Sequence, residues 1–515
     1  MGRTIRLSKA LSQRVLVGSL KRLASLSAVV LLSACQVLNV AGEVPGGKNV
    51  TADDLGVTLS PSPTPMTVEN VSRGDRFAKL AASQHPKILA TYGGEYPDAT
   101  LERMVAKVVG RLSINSNDPN QTYRITILNS PSVNAFALPG GYVYVTRGLL
   151  ALANDSAELA AVIAHEMGHV TAKHGIQRQK LEADATLAQR VVSEVLQDDE
   201  AGRQANIRGK LRLAQFSRNQ ELESDAIGIK NSGGVGYDPF AASRFLTSLG
   251  AYTDFRTSTT KDDMSLDFLA THPSTPQRVE LAMRHARLIG PPGTGDKDRD
   301  AYLAGIDGLL FGDSPEEGYV RGQDFIHGGL GIAYKIPVGF DTENNKDAVL
   351  SAGPGETAIR FDGVELLQST PLSDYIKSGW VAGLDETTIQ QTSIAGYEAV
   401  TAKARADRWQ FELAIMRVNG KVYRFLIAAP AQATGLTDIA KSVTSSFRVL
   451  SPEERAALKP SRIHIVTVKA GDTVGGLAAR MTGTERKLDL FRILNGLTAG
   501  QSVSAGDKVK IVTDE

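Results

Sequence analysis

DSAELAAVIAHEMGHVTAKHG, residues 155–175, decides how the rest of the chain is read. Asp155-Ser156-Ala157-Glu158 has the capping-box pattern, and an Ala/Leu/Val-rich run follows it. The spacing predicts a helix from about Ser156 to His174, with Gly175 placed to terminate it. His165 and His169 lie four residues apart on one face of that helix, so both imidazoles can reach the same ion. Glu166 adjoins the first histidine, where it can meet a metal-held water without ligating. This is the HExxH arrangement. Zinc lowers the pKa of its water from about 15.7 toward roughly 7, and the carboxylate takes the proton as the oxygen attacks a peptide carbonyl. Two unpaired histidines in an apolar helix would cost desolvation, and the chain has only eight histidines, so a shared ion accounts for the pair better than solvation does. His174 falls about 140° round from His169 on a helical wheel and reads as structural.

A third ligand should come from another helix. SRNQELESDA, residues 217–226, offers Glu221, Glu223 and Asp225. Positions 221 and 225 share a face, whereas 223 points about 200° away. Two carboxylates one turn apart suit a ligand and a group that holds a ligating imidazole by its ring N–H. Glu221 is therefore assigned to zinc and Asp225 to a histidine N–H. Alone, this segment would read as a solvated acidic face, and its pairing with HExxH lifts it.

HEMGHVTAKHG, with ELESDAIG about fifty residues later, resembles the CAAX-prenyl-protease/HtpX-like zinc metallopeptidases over roughly residues 71–290. That family carries E-x-x-A-D, and Ser224 stands here at the usual Ala position. The likeness is greatest to the exported branch of bacterial envelopes and the mitochondrial intermembrane space. It implies a mainly helical zincin-type domain with a small β-sheet, and one Zn2+ per chain on His165, His169 and Glu221. Glu166 would act as general base and then as acid to the leaving amine. His272-Pro273-Ser274-Thr275-Pro276-Gln277-Arg278 resembles the family's H-P-x-x-x-x-R segment. By that likeness Arg278 holds the substrate carbonyl or developing oxyanion, and His272 approaches zinc or gates the site; without it, His272 is a loop histidine before a helix. Asn134, Ala135 and Phe136 open a segment that resembles the strand and turn before the metal helix. An edge strand there could pair with an extended substrate backbone, the alternative being an ordinary hairpin.

Outward from this core, the first 34 residues hold six basic side chains and no acidic ones, followed by an apolar run from Leu23 to Leu32 too short to span a bilayer. Leu32-Ser33-Ala34-Cys35 resembles the bacterial lipoprotein signal, which implies a signal peptide over 1–34 and acylation of Cys35; simple cleavage to a soluble periplasmic protein is the alternative. Cys35 is the only cysteine, so no internal disulfide can form. Gln36, where Asp would suggest inner-membrane retention, favours the outer membrane. Residues 35–70 are rich in Gly, Pro, Ser and Thr and read as a tether. After a break at Gly290-Pro291-Pro292-Gly293, residues 313–450 switch to short strands and one helix, an α+β domain of unknown role. Residues 463–513, with Gly471-Asp472-Thr473 and Gly506-Asp507-Lys508-Val509, resemble a βααβ LysM module, which implies binding to glycans such as peptidoglycan. The aromatic residue usual near its start is missing, and Gly475-Gly476 weakens its first helix.

The expected fold class is thus α+β multidomain. The formal charge of +1 becomes about −5 once the basic leader is removed, and no Lys/Arg run occurs in the body, which argues against a nucleic-acid partner. The function expected is a zinc metalloendopeptidase of the bacterial envelope, lipid-anchored in the periplasm, acting on misfolded or misassembled envelope proteins. Its rivals are an assembly factor that uses the peptidase fold for binding, and a peptidoglycan-associated scaffold.

Overall fold

The computed structural model describes residues 76–514, apart from 117–118, 120, 179, 182–198, 258–267, 269–271, 273–274 and 345–347. The signal sequence, the 35–70 tether and Cys35 lie outside the described residues.

Helices α1 (Arg76–Thr91) and α2 (Ala99–Ser113) precede a small sheet of β1 (Arg124–Leu128), β2 (Ala135–Leu138) and β3 (Tyr142–Thr146). Its order is β1–β3–β2, with β1 parallel and β2 antiparallel to β3, so β2 edges the sheet. Strand alternation sorts its side chains onto two faces. Ile127, Ala135, Val143 and Val145 join the core shared with α2, whereas Phe136, Leu138, Tyr142 and Tyr144 pack with Ala81 of α1 on the other side. The β2–β3 turn needs glycine at 141: φ is +83°, and a Cβ there would stand 2.0 Å from the Thr122 carbonyl oxygen.

Helices α3 (Arg147–Leu152) and α4 (Ser156–Thr171) follow. Asp155 caps α4, its carboxylate accepting from Glu158 N at 2.8 Å. The reciprocal half of the expected box is displaced by one residue, because the Glu158 carboxylate accepts from Asn154 N at 2.9 Å. The helix also stops before His174. Ala172 caps it and Lys173 adopts a left-handed φ of 56°, so the reversal occurs two residues ahead of Gly175 and His174 begins a new helical segment. Helices α5 (Asp199–Gly234), α6 (Ala241–Thr257), α7 (Pro276–Ile289) and α8 (Arg299–Ile306) complete this part. Among the described residues no helix is long and apolar enough to cross a membrane.

The middle of the chain forms two antiparallel sheets. Strands β4 (Tyr319–Arg321), β5 (Asp324–His327), β6 (Ile332–Lys335), β7 (Asp341–Asn344), β8 (Val349–Gly353) and β9 (Thr357–Val364) precede helix α9 (Leu372–Lys377). Strands β10 (Leu384–Ile394), β11 (Tyr397–Ala406), β12 (Trp409–Val418) and β13 (Lys421–Pro430), helix α10 (Leu436–Ser445) and strand β14 (Arg448–Val449) follow. Seven strands run in the order β10–β11–β12–β13–β9–β8–β7, and four in the order β14–β6–β5–β4. Both faces of the larger sheet are covered. Ala414 and Met416 face a core with Phe325, Tyr334 and Val443, while Leu413 and Ile415 face Leu372 and Ile376 of α9.

This domain is an insertion. Gly308 N donates to Ile463 O and Ile463 N to Leu309 O, each at 2.8 Å, and Phe311 N donates to Ser461 O at 2.8 Å. The chain therefore leaves and re-enters the first body at one place. It re-enters as β15 (Ser461–Thr467), α11 (Val474–Ala479), α12 (Lys487–Leu494) and β16 (Lys508–Asp514), with β15 and β16 antiparallel. Ile463, Leu490, Phe491, Leu494 and Ile511 belong to the same apolar core as Leu150, Leu152 and Tyr302. Lys510 is fully buried in this seam, and its Nζ donates to the carbonyls of Ala151, Leu152 and Ala153 at 2.8, 3.1 and 2.9 Å. An ammonium has three hydrogens for these three oxygens at a helix C-terminus, while desolvation draws its pKa down to about 7. Lys510→Met, which keeps the volume and removes the donors, is expected to destabilise this body by about 2–4 kcal/mol in urea unfolding. An unchanged midpoint would show that the docking rests on apolar contact alone.

Candidate metal centre

Helix α4 carries His165 and His169, and α5 carries Glu221 and Asp225. The two helices cross at short range because both are bare where they touch. A Cβ on Gly228 would stand 2.8 Å from the backbone nitrogen of His165, and one on Gly168 would stand 3.3 Å from the carbonyl oxygen of Ser224. A small side chain at 224 belongs to the same crossing.

That approach brings four groups to one point. His165 Nε2 and His169 Nε2 are 3.0 Å apart, and the Glu221 carboxylate lies 3.4 Å from the first and 3.3 Å from the second. His272 Nδ1 is 3.3 Å from His165 Nε2 and 2.9 Å from Glu221 Oε2. One donor atom from each of His165, His169, Glu221 and His272 lies within 4.8 Å of all the others. Ligands at about 2.0–2.1 Å from a tetrahedral zinc ion are separated by roughly 3.3 Å, so the spacing and the nitrogen/oxygen donor set both fit that ion. His272 is held from behind: its N donates to Phe268 O at 2.7 Å, its ring stacks on Phe268 at 4.3 Å, and Phe268 N donates to Val133 O at 2.7 Å, just ahead of β2.

The other ring nitrogen of His165, Nδ1, lies 2.9 Å from Asp225 Oδ1. Asp225 also accepts from Arg278 Nε and NH2, both at 2.8 Å, and Arg278 NH1 lies 3.0 Å from Glu221 Oε2. Arg278, expected from the resemblance to hold a substrate carbonyl or developing oxyanion, lies against these two carboxylates. Its guanidinium is buried against the two carboxylates, so it orients Glu221 and Asp225.

The charges are uneven, in a way that suits a cation. Burial opposes ionisation of Glu221, but His272 and hydrogen bonds from His165 and His169 hold its carboxyl far below the usual range. Burial likewise works to raise Asp225, yet Arg278 and His165 pull it down to about 2. For His165, desolvation is outweighed by Asp225 and Glu221, which push the ring up to about 9, whereas burial drives His169 down to about 3. Two permanently ionised carboxylates thus call for positive charge at their centre. Glu166 differs from them. Burial raises its carboxyl above the ordinary value, and its Oε1 is buried without a hydrogen-bond partner, 3.6 Å from His272 Nε2 and 4.0 Å from His165 Nε2.

The strand residues are placed differently from one another. Ala135 faces the helical core, while Phe136 turns to the opposite face and stacks on Tyr144 at 4.9 Å. Asn134 is buried, its Nδ2 donating to Tyr92 Oη at 3.1 Å and its N to Thr146 Oγ1 at 2.9 Å. The Asn134 and Phe136 side chains are both buried. His174, read from the sequence as structural, touches the site: its Nδ1 lies 2.9 Å from His169 Nδ1. The early end of α4 produces this contact, and no periodicity argument contained it.

Residues 97–285, which carry the whole cluster, match the model of Peptidase family M48. The mitochondrial metalloendopeptidase OMA1 of Arabidopsis thaliana is 34% identical over 189 residues, covering 37% of this chain and 36% of that protein. The beta-barrel assembly-enhancing protease of Yersinia pestis is 28% identical over 236 residues, covering 44% and 46%. That of Escherichia coli is 27% identical over 264 residues, covering 49% and 50%. The chain therefore spans half or less of the length of these curated relatives.

Gly228→Ala is expected to force α5 off α4, because its methyl meets backbone that cannot yield. Overpacking of this kind costs about 1–3 kcal/mol and should lower zinc affinity, measured by chelator competition, while far-ultraviolet circular dichroism stays helical. Wild-type affinity in that variant would contradict the close crossing.

Proposed function

We propose, from the match of residues 97–285 to peptidase family M48 and the donor cluster inside it, that the chain is a zinc-dependent metalloendopeptidase. His165, His169 and Glu221 would hold the ion, and zinc when bound supplies Lewis acidity that acidifies a water and polarises a peptide carbonyl. The protein's own groups account for the rest. Glu166 lies at the rim of the cluster with its carboxyl pKa raised by burial, which makes it a stronger base to take the proton and return it to the leaving amine. Asp225 and Arg278 keep His165 and Glu221 oriented. His272 fills the remaining corner, against Glu221 and His165, and we read it as the group that an entering peptide displaces. An extended substrate would align along the edge of β2 through main-chain hydrogen bonds, which gives little side-chain selectivity.

The proposed setting is the bacterial envelope, with the chain tethered to the outer membrane through an acylated Cys35 and acting on misfolded or misassembled envelope proteins. Support comes from the basic-then-apolar leader ending at Cys35 and from the names of the beta-barrel assembly-enhancing relatives. The observation that carries the enzymatic reading is the convergence of three imidazoles and a carboxylate beside the buried carboxyl of Glu166. Glu166→Gln should retain one zinc per chain yet cleave an unfolded protein substrate about 10²–10⁴-fold more slowly. Full turnover by that variant, or persistent cleavage after complete zinc removal, would refute the mechanism.

A further inference from the structure

His174 is 2% exposed and stands beside the cluster without belonging to it. Its contacts form a line. His169 Nδ1 is 2.9 Å from His174 Nδ1, and His174 Nε2 is 3.3 Å from Glu223 Oε2, with the His169 and His174 rings set edge-on at 76°. Gln220 Nε2 donates to the His174 carbonyl at 3.2 Å and Ser224 Oγ lies 3.2 Å from its Nδ1, so α5 grips this residue from three positions.

The protons on these rings are fixed by what His169 must do. An imidazole that offers one nitrogen to a cation carries its hydrogen on the other. His169 Nε2 faces His165 and Glu221, so its hydrogen is on Nδ1 and points at His174. Two nitrogens 2.9 Å apart need one hydrogen between them, which leaves His174 Nδ1 bare as the acceptor. The His174 hydrogen is then on Nε2, directed at the Glu223 carboxylate. We propose that Glu223, His174 and His169 form a carboxylate–histidine–histidine relay that orients His169 toward zinc, the counterpart of the direct Asp225–His165 pair on the other ligand. His174 is thus a positioning residue, and Glu223, which periodicity turns away from the metal face, acts through it. The left-handed Lys173 gives the relay its geometry, because it ends α4 early enough to return His174 onto His169.

The relay rests on the reading of the cluster as a zinc site, and one experiment separates the two. The full chain is titrated with zinc against a chromophoric chelator, as wild type, His174→Ala and His174→Asn. Asparagine sets an amide oxygen close to where Nδ1 stands, restoring the acceptor while leaving a gap in packing as alanine does. Loss of an orienting partner costs about 10–100-fold in metal affinity, so His174→Ala should weaken binding by that factor and His174→Asn should recover most of it. Wild-type affinity in His174→Ala, or equal weakening in both variants, overturns the relay while leaving the site intact. Failure of the wild-type chain to bind zinc overturns the site and the relay together.

Discussion

The Glu221 carboxylate is the group on which the rest of the site depends. It is 6% exposed, and it keeps its charge only because three imidazoles and the Arg278 guanidinium surround it. A buried carboxylate without such company would be protonated or expelled. Helices deliver three of these four neighbours. Helix α4 delivers two histidines across a crossing kept narrow by Gly168 and Gly228, and α7 delivers Arg278 in its first turn, where Thr275 caps the helix. Arg278 spans Glu221 and Asp225, so one cation holds these two carboxylates of α5 at once.

Both ends of α4 are pinned. At its start, Arg244 reaches Asp155, Glu158 and Asp238 at 3.0, 3.3 and 2.6 Å, and Lys510 closes the carbonyls of the preceding turn. At its finish, His174 turns back onto His169. The C-terminal βααβ segment thereby becomes part of the scaffold behind α4, while the inserted sheet domain leaves and rejoins the first body where segments 308–311 and 461–463 hydrogen-bond side by side. Site rigidity arises within the first body, where groups far apart in sequence share one core.

Much of this was legible in the residues, and the failures have identifiable causes. Asp155 announced the start of α4 because an N-cap is a local device, and the spacing of 221 and 225 announced a shared face because helical periodicity is local too. The end of α4 was misread because a lysine, not Gly175, takes the left-handed position, at a cost no propensity scale anticipates. That one error hid His174. The motif around Arg278 was visible, but its partners were not, since they come from a helix some fifty residues upstream and only packing brings them together. In the sequence Asn134, Ala135 and Phe136 read together as one segment; that Phe136 turns to the other face depends on α1, whose contribution no single-strand pattern contains. The switch to short strands over 313–450 could be seen in the sequence, whereas their order in the sheet and the return of the chain beside residue 308 are tertiary facts.

The most direct test of the account is anomalous diffraction at the zinc edge on crystals of the zinc-loaded protein. One peak is predicted between α4 and α5, at about 2.0–2.2 Å from His165 Nε2, His169 Nε2 and a Glu221 oxygen. A peak elsewhere, or zinc held without Glu221, would contradict it.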